Sequence, residues 1–427
     1  MSELVLLLLG ARLIRRKWWI VLLVGLFWLG LGTFFLVNGL IDESRLPTTF
    51  FAVPLLIDAA FSTVAGFNMR GTGRTLRFGK AAVFVLLALL IVGAPMHSGM
   101  LVGFIAGTFL VVDAIWRATS AYIVRHARWR LSLFNAGIEF LLGVWSYVPY
   151  PSNWQGEIES DVGTLMMASA AGICMLAMRI RSLPPGMPIS TVLMHGWPTY
   201  DGQPADDGTA AASPAESATV TVHVWTPTGS LVSVRRGVSR YVAALDEKGT
   251  LSTGHAALEV PPDIYISHYP AVEISRSRSE FSRTLRATSD NDVPGVFQPS
   301  YREESESWCP STRKVRLEGL DIASIRAFST AYRRDPTYNL TSRNCSSAVA
   351  KALDAGLEGL FAVHATSPYF LMRLVLLPET WVAGELRRRA AAMAWTPGIV
   401  LDYARALSHV VALPQRLGRG PTDGKPG

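Results

Sequence analysis

The chain has 427 residues, of which 49% are hydrophobic and 17% charged, with a formal net charge of +7; this excludes a disordered or highly charged binding protein. Three cysteines, Cys174, Cys309 and Cys345, are too few and too scattered for a disulfide scaffold or a zinc ribbon, so a reducing compartment fits and no metal or cofactor is expected. Lys and Arg flank apolar segments and form no basic stripe with interleaved aromatics, which argues against nucleic acid and makes a lipid bilayer the expected partner.

Nearly every long apolar run precedes residue 183. Counted at roughly 20 residues per helical crossing, about six spans are expected. They are Trp18 to Leu40, Leu46 to Phe67, Ala81 to Met96, Gly99 to Ala118, Leu131 to Pro149 and Val162 to Met178. The preceding run Leu4 to Leu9 leads into Arg12, Arg15, Arg16 and Lys17 and not into a small-residue cleavage site, so an uncleaved interfacial helix is expected there. The basic loops carry Arg70, Arg74, Arg77 and Lys80, then Arg117, Arg125, Arg128 and Arg130, then Arg179 and Arg181. The alternate loops are acidic or uncharged, which places both termini, and everything after residue 183, in the cytoplasm.

The spans read as three hairpins with short outer turns. Asp58 and Asp113 fall at corresponding places in the second and fourth spans, and Glu139 lies in the fifth. Carboxylates inside a bilayer are costly, so these three mark a polar or proton-linked site, hydrogen bonds between helices, or positions near enough to the surface to be hydrated. With the start Arg15-Arg16-Lys17-Trp18-Trp19 and the Gly-rich first span (Gly25, Gly30, Gly32), residues 8 to 183 resemble the HdeD-type family of small bacterial membrane proteins. That resemblance implies six spans in the bacterial inner membrane and a link to acid or stress resistance, with no catalytic residue.

Residues 184–218 read as a flexible linker, since the part from Tyr200 to Ser217 is dominated by Gly, Pro, Ala, Ser and Asp. Thr219 to Trp225 then alternates as a half-buried strand, with Val220, Val222 and Val224 on one face and His223 on the other. Gly254 to Val260 and Ile264 to Tyr269, joined by Pro261-Pro262-Asp263, predict an antiparallel hairpin with His255 and His268 on neighbouring strands. The region from Ser275 to Ser311 is polar and poorly patterned. Asp321 is placed to cap a helix carrying Ile322, Ile325, Phe328 and Tyr332, which Arg333, Arg334 and Pro336 end.

Asn344 is a strong N-cap candidate for a helix through Val349 and Leu353, which makes Cys345 its first residue. Unsatisfied backbone amides and the helix dipole there favour a thiolate, and a histidine alongside would serve as base and then acid in acyl transfer. Gly254-His255 and Asn344-Cys345, about 90 residues apart, resemble the paired motifs of the papain-like superfamily of NlpC type, in the circularly permuted branch that includes lecithin:retinol acyltransferase-like proteins. The resemblance covers roughly residues 219 to 358. It implies Cys345 as nucleophile, His255 as general base, and a third polar group on the next strand to orient the imidazole. His268 is the first choice for that group and Ser267 the reserve.

Further on, Pro368 to Leu377 and Trp381 to Met393, with Arg387, Arg388 and Arg389, suit helices lying in the headgroup layer or packing against the catalytic domain. The expected organisation is an all-α six-helix transmembrane bundle (1–183), a linker (184–218), an α+β permuted papain-like domain with an antiparallel sheet (219–358), amphipathic C-terminal helices (359–412) and a disordered tail (413–427). The expected activity is a cysteine hydrolase or acyltransferase forming a thioester on a peptide, isopeptide or lipid acyl substrate. The alternatives are a non-catalytic, stress-responsive sensor or scaffold and, were the domain periplasmic, a peptidoglycan peptidase. The oligomeric state stays open.

Overall fold

A computed structural model describes residues 2–40, 52–67, 72–93, 98–126, 128–148, 157–194, 219–226, 244–245, 251–252, 254–272, 274 and 281–418. The chain is mostly helical with small antiparallel sheets. It divides into two compact units, one of residues 17–122 and 128–181, the other of residues 1–16, 123–127 and 182–427.

In the first unit, helices occupy all six apolar stretches: Trp18–Leu40, Ala52–Phe67, Thr72–Gly93, Ser98–Val124, Trp129–Trp145 and Glu157–Arg181. Three segments, Trp18–Leu40, Gly103–Val124 and Glu159–Arg181, are long and apolar enough to cross a membrane, and Phe78–Gly93 is a shorter apolar helix. Their outward surfaces carry exposed Phe27, Phe34, Phe109 and Trp116, an arrangement suited to lipid contact. Close packing joins the first helix to the sixth and the second to the third, and Gly107 of the fourth lies against Gly143 of the fifth. Small residues lie at two of these contacts. A Cβ on Gly25 would come within 2.7 Å of Cys174 Sγ, and one on Gly32 within 2.9 Å of the Gly163 carbonyl, the backbone approach that glycine permits between membrane helices. Cys174 is thus a packing residue.

The three carboxylates expected within spans form three ion pairs in two separate groups. Asp58 meets Lys80 at 2.6 Å, while Arg117 bridges Asp113 at 2.6 Å and Glu139 at 3.3 Å. Asp113 and Glu139 are brought together through a cation, and the structure does not place Asp58 with them. Paired charges of this kind are the ordinary way to hold a carboxylate among apolar helices.

The second unit is built on an antiparallel sheet in the order β5-β4-β1-β8, comprising β1 (Val220–Trp225), β4 (His255–Val260), β5 (Ile264–Ile266) and β8 (Arg313–Leu317). A second sheet pairs β6 (His268–Pro270), β7 (Val293–Phe297) and β9 (Thr337–Tyr338), and the short β2 (Ala244–Leu245) pairs with β3 (Leu251–Ser252). The expected β4–β5 hairpin forms, with Leu258 opposite Ile266 and Val260 opposite Ile264. Both faces of β1 are buried. Val220, Val222 and Val224 alternate with His223 and Trp225, and Trp225 packs with Ala257 and Tyr265 beneath Tyr301 and Cys309. His223, expected on an outer face, is covered by Tyr301 at a ring separation of 3.9 Å and bonds Glu259 and Ser311.

Several boundaries move. The N-terminal helix Ser2–Leu9 does not lie at an interface: Leu4, Leu7 and Leu8 are fully buried, and backbone amides of Gly359 and Phe361 donate to the Leu7 and Leu8 carbonyls. A Leu-rich helix with no polar face needs burial on all sides. The first residues of the expected linker are docked, because the Ile189 amide donates to Glu358 Oε1 at 2.6 Å; residues 195–218 lie outside the described residues. The C-terminal helices also belong to this unit. Pro397–Val411 packs on β1, β4 and β8 and buries Val400, Leu401, Tyr403, Leu407 and Val410. Pro378–Ala392 packs on that helix and on Ser2–Leu9, and its Arg387 reaches Asp354 at 2.9 Å and Glu3 at 2.7 Å. Along Pro368–Leu376 and Pro378–Ala392, Tyr369, Met372, Leu376 and Trp381 remain exposed. The expected disordered tail begins in order, since Leu413–Gly418 is helical; residues 419–427 lie outside the described residues.

Candidate active site

Two local signals position the candidate nucleophile. Asn344 has extended backbone and accepts from the Ser347 amide at 2.7 Å, while Ser347 Oγ accepts from the Asn344 amide at 2.8 Å, so a capping box opens the helix Cys345–Leu357. The Asn344 amide group also donates to the Leu340 and Trp395 carbonyls at 2.7 and 3.0 Å. Cys345 is therefore fixed at the helix start and is buried. Burial pushes its thiol up, and backbone amides of Ala256 and Ser346, with the Ser346 hydroxyl, only partly oppose this. The thiolate expected from the helix position is outweighed by desolvation, and the resting group is a neutral thiol.

Ala256, whose amide reaches the sulfur, directly follows His255, the first residue of β4. The preceding Gly254 takes φ +68°, a left-handed conformation in which an L-residue is strained by about 1–2 kcal/mol. That turn explains the Gly-His pairing. The His255 ring is boxed by Tyr269 at 4.0 Å, Trp225 at 5.3 Å and Trp308 at 6.5 Å between centroids. Its Nε2 lies 2.9 Å from Ser267 Oγ and 3.4 Å from Glu304 Oε1. Glu304 is held in turn by the hydroxyls of Tyr265 and Tyr269, which donate to it at 2.6 and 2.7 Å. Burial, with the nearby His268, lowers the His255 pKa to about 3, so the imidazole is neutral at pH 7. A carboxylate beside Nε2 favours the tautomer with the proton there, leaving Nδ1 as the basic nitrogen.

Of the two candidates for the third residue, the structure brings Ser267 and not His268 to His255. The cause is strand parity. Continuing the β4–β5 register sets Tyr269 opposite His255, with Ser267 a diagonal neighbour on the same face and His268 on the other. The run Ile264 to Tyr269 also breaks at Ser267, after which β6 leaves β5 and pairs with β7. His268 instead stacks on Phe297 at 4.4 Å and lies 3.3 Å from both the Tyr332 hydroxyl and the Pro336 carbonyl. Burial lowers its pKa to about 4.

Glu304 was not among the expected site residues. It lies on a short helix, Tyr301–Ser307, inside the region read as unpatterned, and Ser300 caps that helix by accepting from the Glu303 amide at 3.2 Å. The spacing Ser300-Tyr301-Arg302-Glu303 is a capping-box signature that marks the helix start. Cys309, by contrast, offers its carbonyl to Trp225 Nε1 at 2.8 Å and packs in the same cluster. Among the described residues no group of three His, Cys, Asp or Glu side chains could hold a metal ion.

Residues 267–419 match the family described as the IcsB middle domain, a little over a third of the chain. The matched stretch includes Ser267, Glu304 and Cys345 and runs through the C-terminal helices. A 112-residue segment is 30% identical to a multifunctional-autoprocessing repeats-in-toxin of Vibrio vulnificus, covering 22% of this chain and 2% of that protein. No solved structure matches.

Proposed function

We propose that this protein is a membrane-tethered cysteine hydrolase or acyltransferase acting through a thioester on Cys345. The observation that carries the reading is the clamp on His255: a buried imidazole whose Nε2 is taken by Ser267 and Glu304, one residue from the amide that contacts the Cys345 sulfur. In this mechanism His255 Nδ1 accepts the thiol proton as sulfur attacks the acyl carbon, and the resulting imidazolium is stabilised by Glu304. The imidazolium then protonates the leaving amine or alcohol. Water or another acceptor, deprotonated by the same ring, releases the acyl group and restores the thiol. Glu304 and Ser267 are positioning residues, and His268 supports the fold.

The resemblance to permuted papain-like enzymes of NlpC type rests on Gly254-His255 and Asn344-Cys345 in that order. The substrate class is a peptide, isopeptide or lipid acyl group. The exposed stripe Tyr369, Met372, Leu376 and Trp381 favours a substrate held at a membrane surface. For location we propose a six-span protein of the bacterial inner membrane with a cytoplasmic catalytic unit. Residues 1–16, 123–127 and 182–427 fold as one unit, and these are stretches that the cation distribution assigns to one side. The test compares lipids and proteins of membranes from cells making the wild type or Cys345→Ala. A species that accumulates only with the variant is expected; identical profiles would leave the sensor or scaffold reading.

A further inference from the structure

Away from His255, the second unit contains a cavity of about 680 Å³ whose wall includes Arg334, Arg343, Lys351 and Arg387 against only two carboxylates, Glu3 and Asp335. Lys351 and Arg387 are buried, at 5% and 3% exposure. Arg387 spends Nε on Asp354 and Nη1 on Glu3, while its Nη2 is buried with no hydrogen-bond partner. Arg343 is pinned by donating to the carbonyls of Thr337 and Tyr332, each at 2.8 Å. Burial and the charge of Arg343 lower the Lys351 pKa to about 8; an anion among these groups would reverse that shift. An unsatisfied buried guanidinium N–H is costly, and a planar, fixed fork beside a second and third cation is the arrangement that recognises phosphate oxygens.

The other walls narrow the ligand. Glu3, Val124, His126, Leu193 and Met194 come from the three stretches that adjoin membrane-length helices in sequence, and Val124 is the last residue of one. The volume suits a headgroup-sized molecule. We propose that this cavity binds a phosphomonoester, presented by a lipid headgroup or by a soluble phosphate ester, with Arg334, Lys351 and Arg387 as its cationic contacts. This site goes beyond the proposed chemistry at Cys345 and does not depend on it.

The test uses the full chain in phosphatidylcholine nanodiscs, with binding measured by calorimetry and thermal shift. One arm titrates inositol trisphosphate in solution, and the other exchanges part of the lipid for phosphatidic acid, with phosphatidylserine as a charge control. Saturable binding of one equivalent is expected in at least one arm, weakened about 10-fold by Arg334→Ala and by Lys351→Met. Binding of the trisphosphate identifies a soluble ester, and a response confined to phosphatidic acid identifies a headgroup. Arg334 is exposed, so its variant folds, and Lys351→Met removes a buried charge at nearly constant volume. No binding in either arm, equal responses to phosphatidic acid and phosphatidylserine, or unchanged affinity in both variants overturns the proposal, whatever the outcome at Cys345.

Discussion

Acidification is expected to loosen the strands that carry the site before it affects the rest of the unit. His255 and His268 are held at pKa values of about 3 and about 4, whereas both rings titrate near 6.5 in an unfolded chain. The folded state thus binds fewer protons, and the stabilisation is complete above about pH 6.5 and lost as pH falls toward the folded values. At about pH 4.5 each ring contributes about 2–3 kcal/mol less than at neutrality, so that the two together approach the whole stability of a small domain. Hydrogen exchange read by mass spectrometry, corrected for intrinsic rates, should show protection across residues 255–270 falling steeply between neutral pH and about pH 4.5. His268→Gln, which cannot titrate, should remove about half of that loss. Equal protection at the two pH values, or a loss unaffected by the substitution, would refute the assignment of two buried neutral imidazoles.

Other expectations follow from the same contacts. Glu304→Gln withdraws the carboxylate that stabilises an imidazolium at His255, and should slow Cys345-dependent turnover about 10–100-fold. Ser267→Ala should cost about 3–10-fold, because Glu304 still holds Nε2, whereas His268→Gln should leave turnover near wild type at neutral pH. Asn344→Ala removes the cap and two further hydrogen bonds, and thermal unfolding should report a loss of about 2 kcal/mol. Arg387→Met strands Asp354, which is fully buried, and should cost about 3–5 kcal/mol; pairing it with Asp354→Leu should recover much of the loss.

The sequence patterns that proved legible were local ones. The six apolar stretches became helices, Pro261-Pro262-Asp263 marked the β4–β5 turn, and Asn344 and Asp321 capped the helices expected of them. What could not be read depended on distant partners. Nothing near Leu4, Leu7 and Leu8 says that they pack under a helix almost four hundred residues later in the chain, which is about the separation of Glu3 and Arg387. The C-terminal helices look amphipathic whether their apolar face meets lipid or a sheet, and Pro397–Val411 meets the sheet. Which of the two neighbours faces His255 was within reach, since the turn fixes parity and parity sets Ser267, not His268, on the His255 face. Glu304 needed the Ser300 capping box to be seen, and even then only tertiary packing brings that helix over His255.

The most direct measurement is peptide mass spectrometry of Cys345 from wild-type and His255→Asn membranes, with and without neutral hydroxylamine. A thioester mechanism predicts a hydroxylamine-labile acyl adduct on Cys345 of the wild type that is lost in the variant, with Cys309 unmodified in both. No adduct on Cys345, or one formed equally without His255, would contradict the assignment of a His255-activated nucleophile.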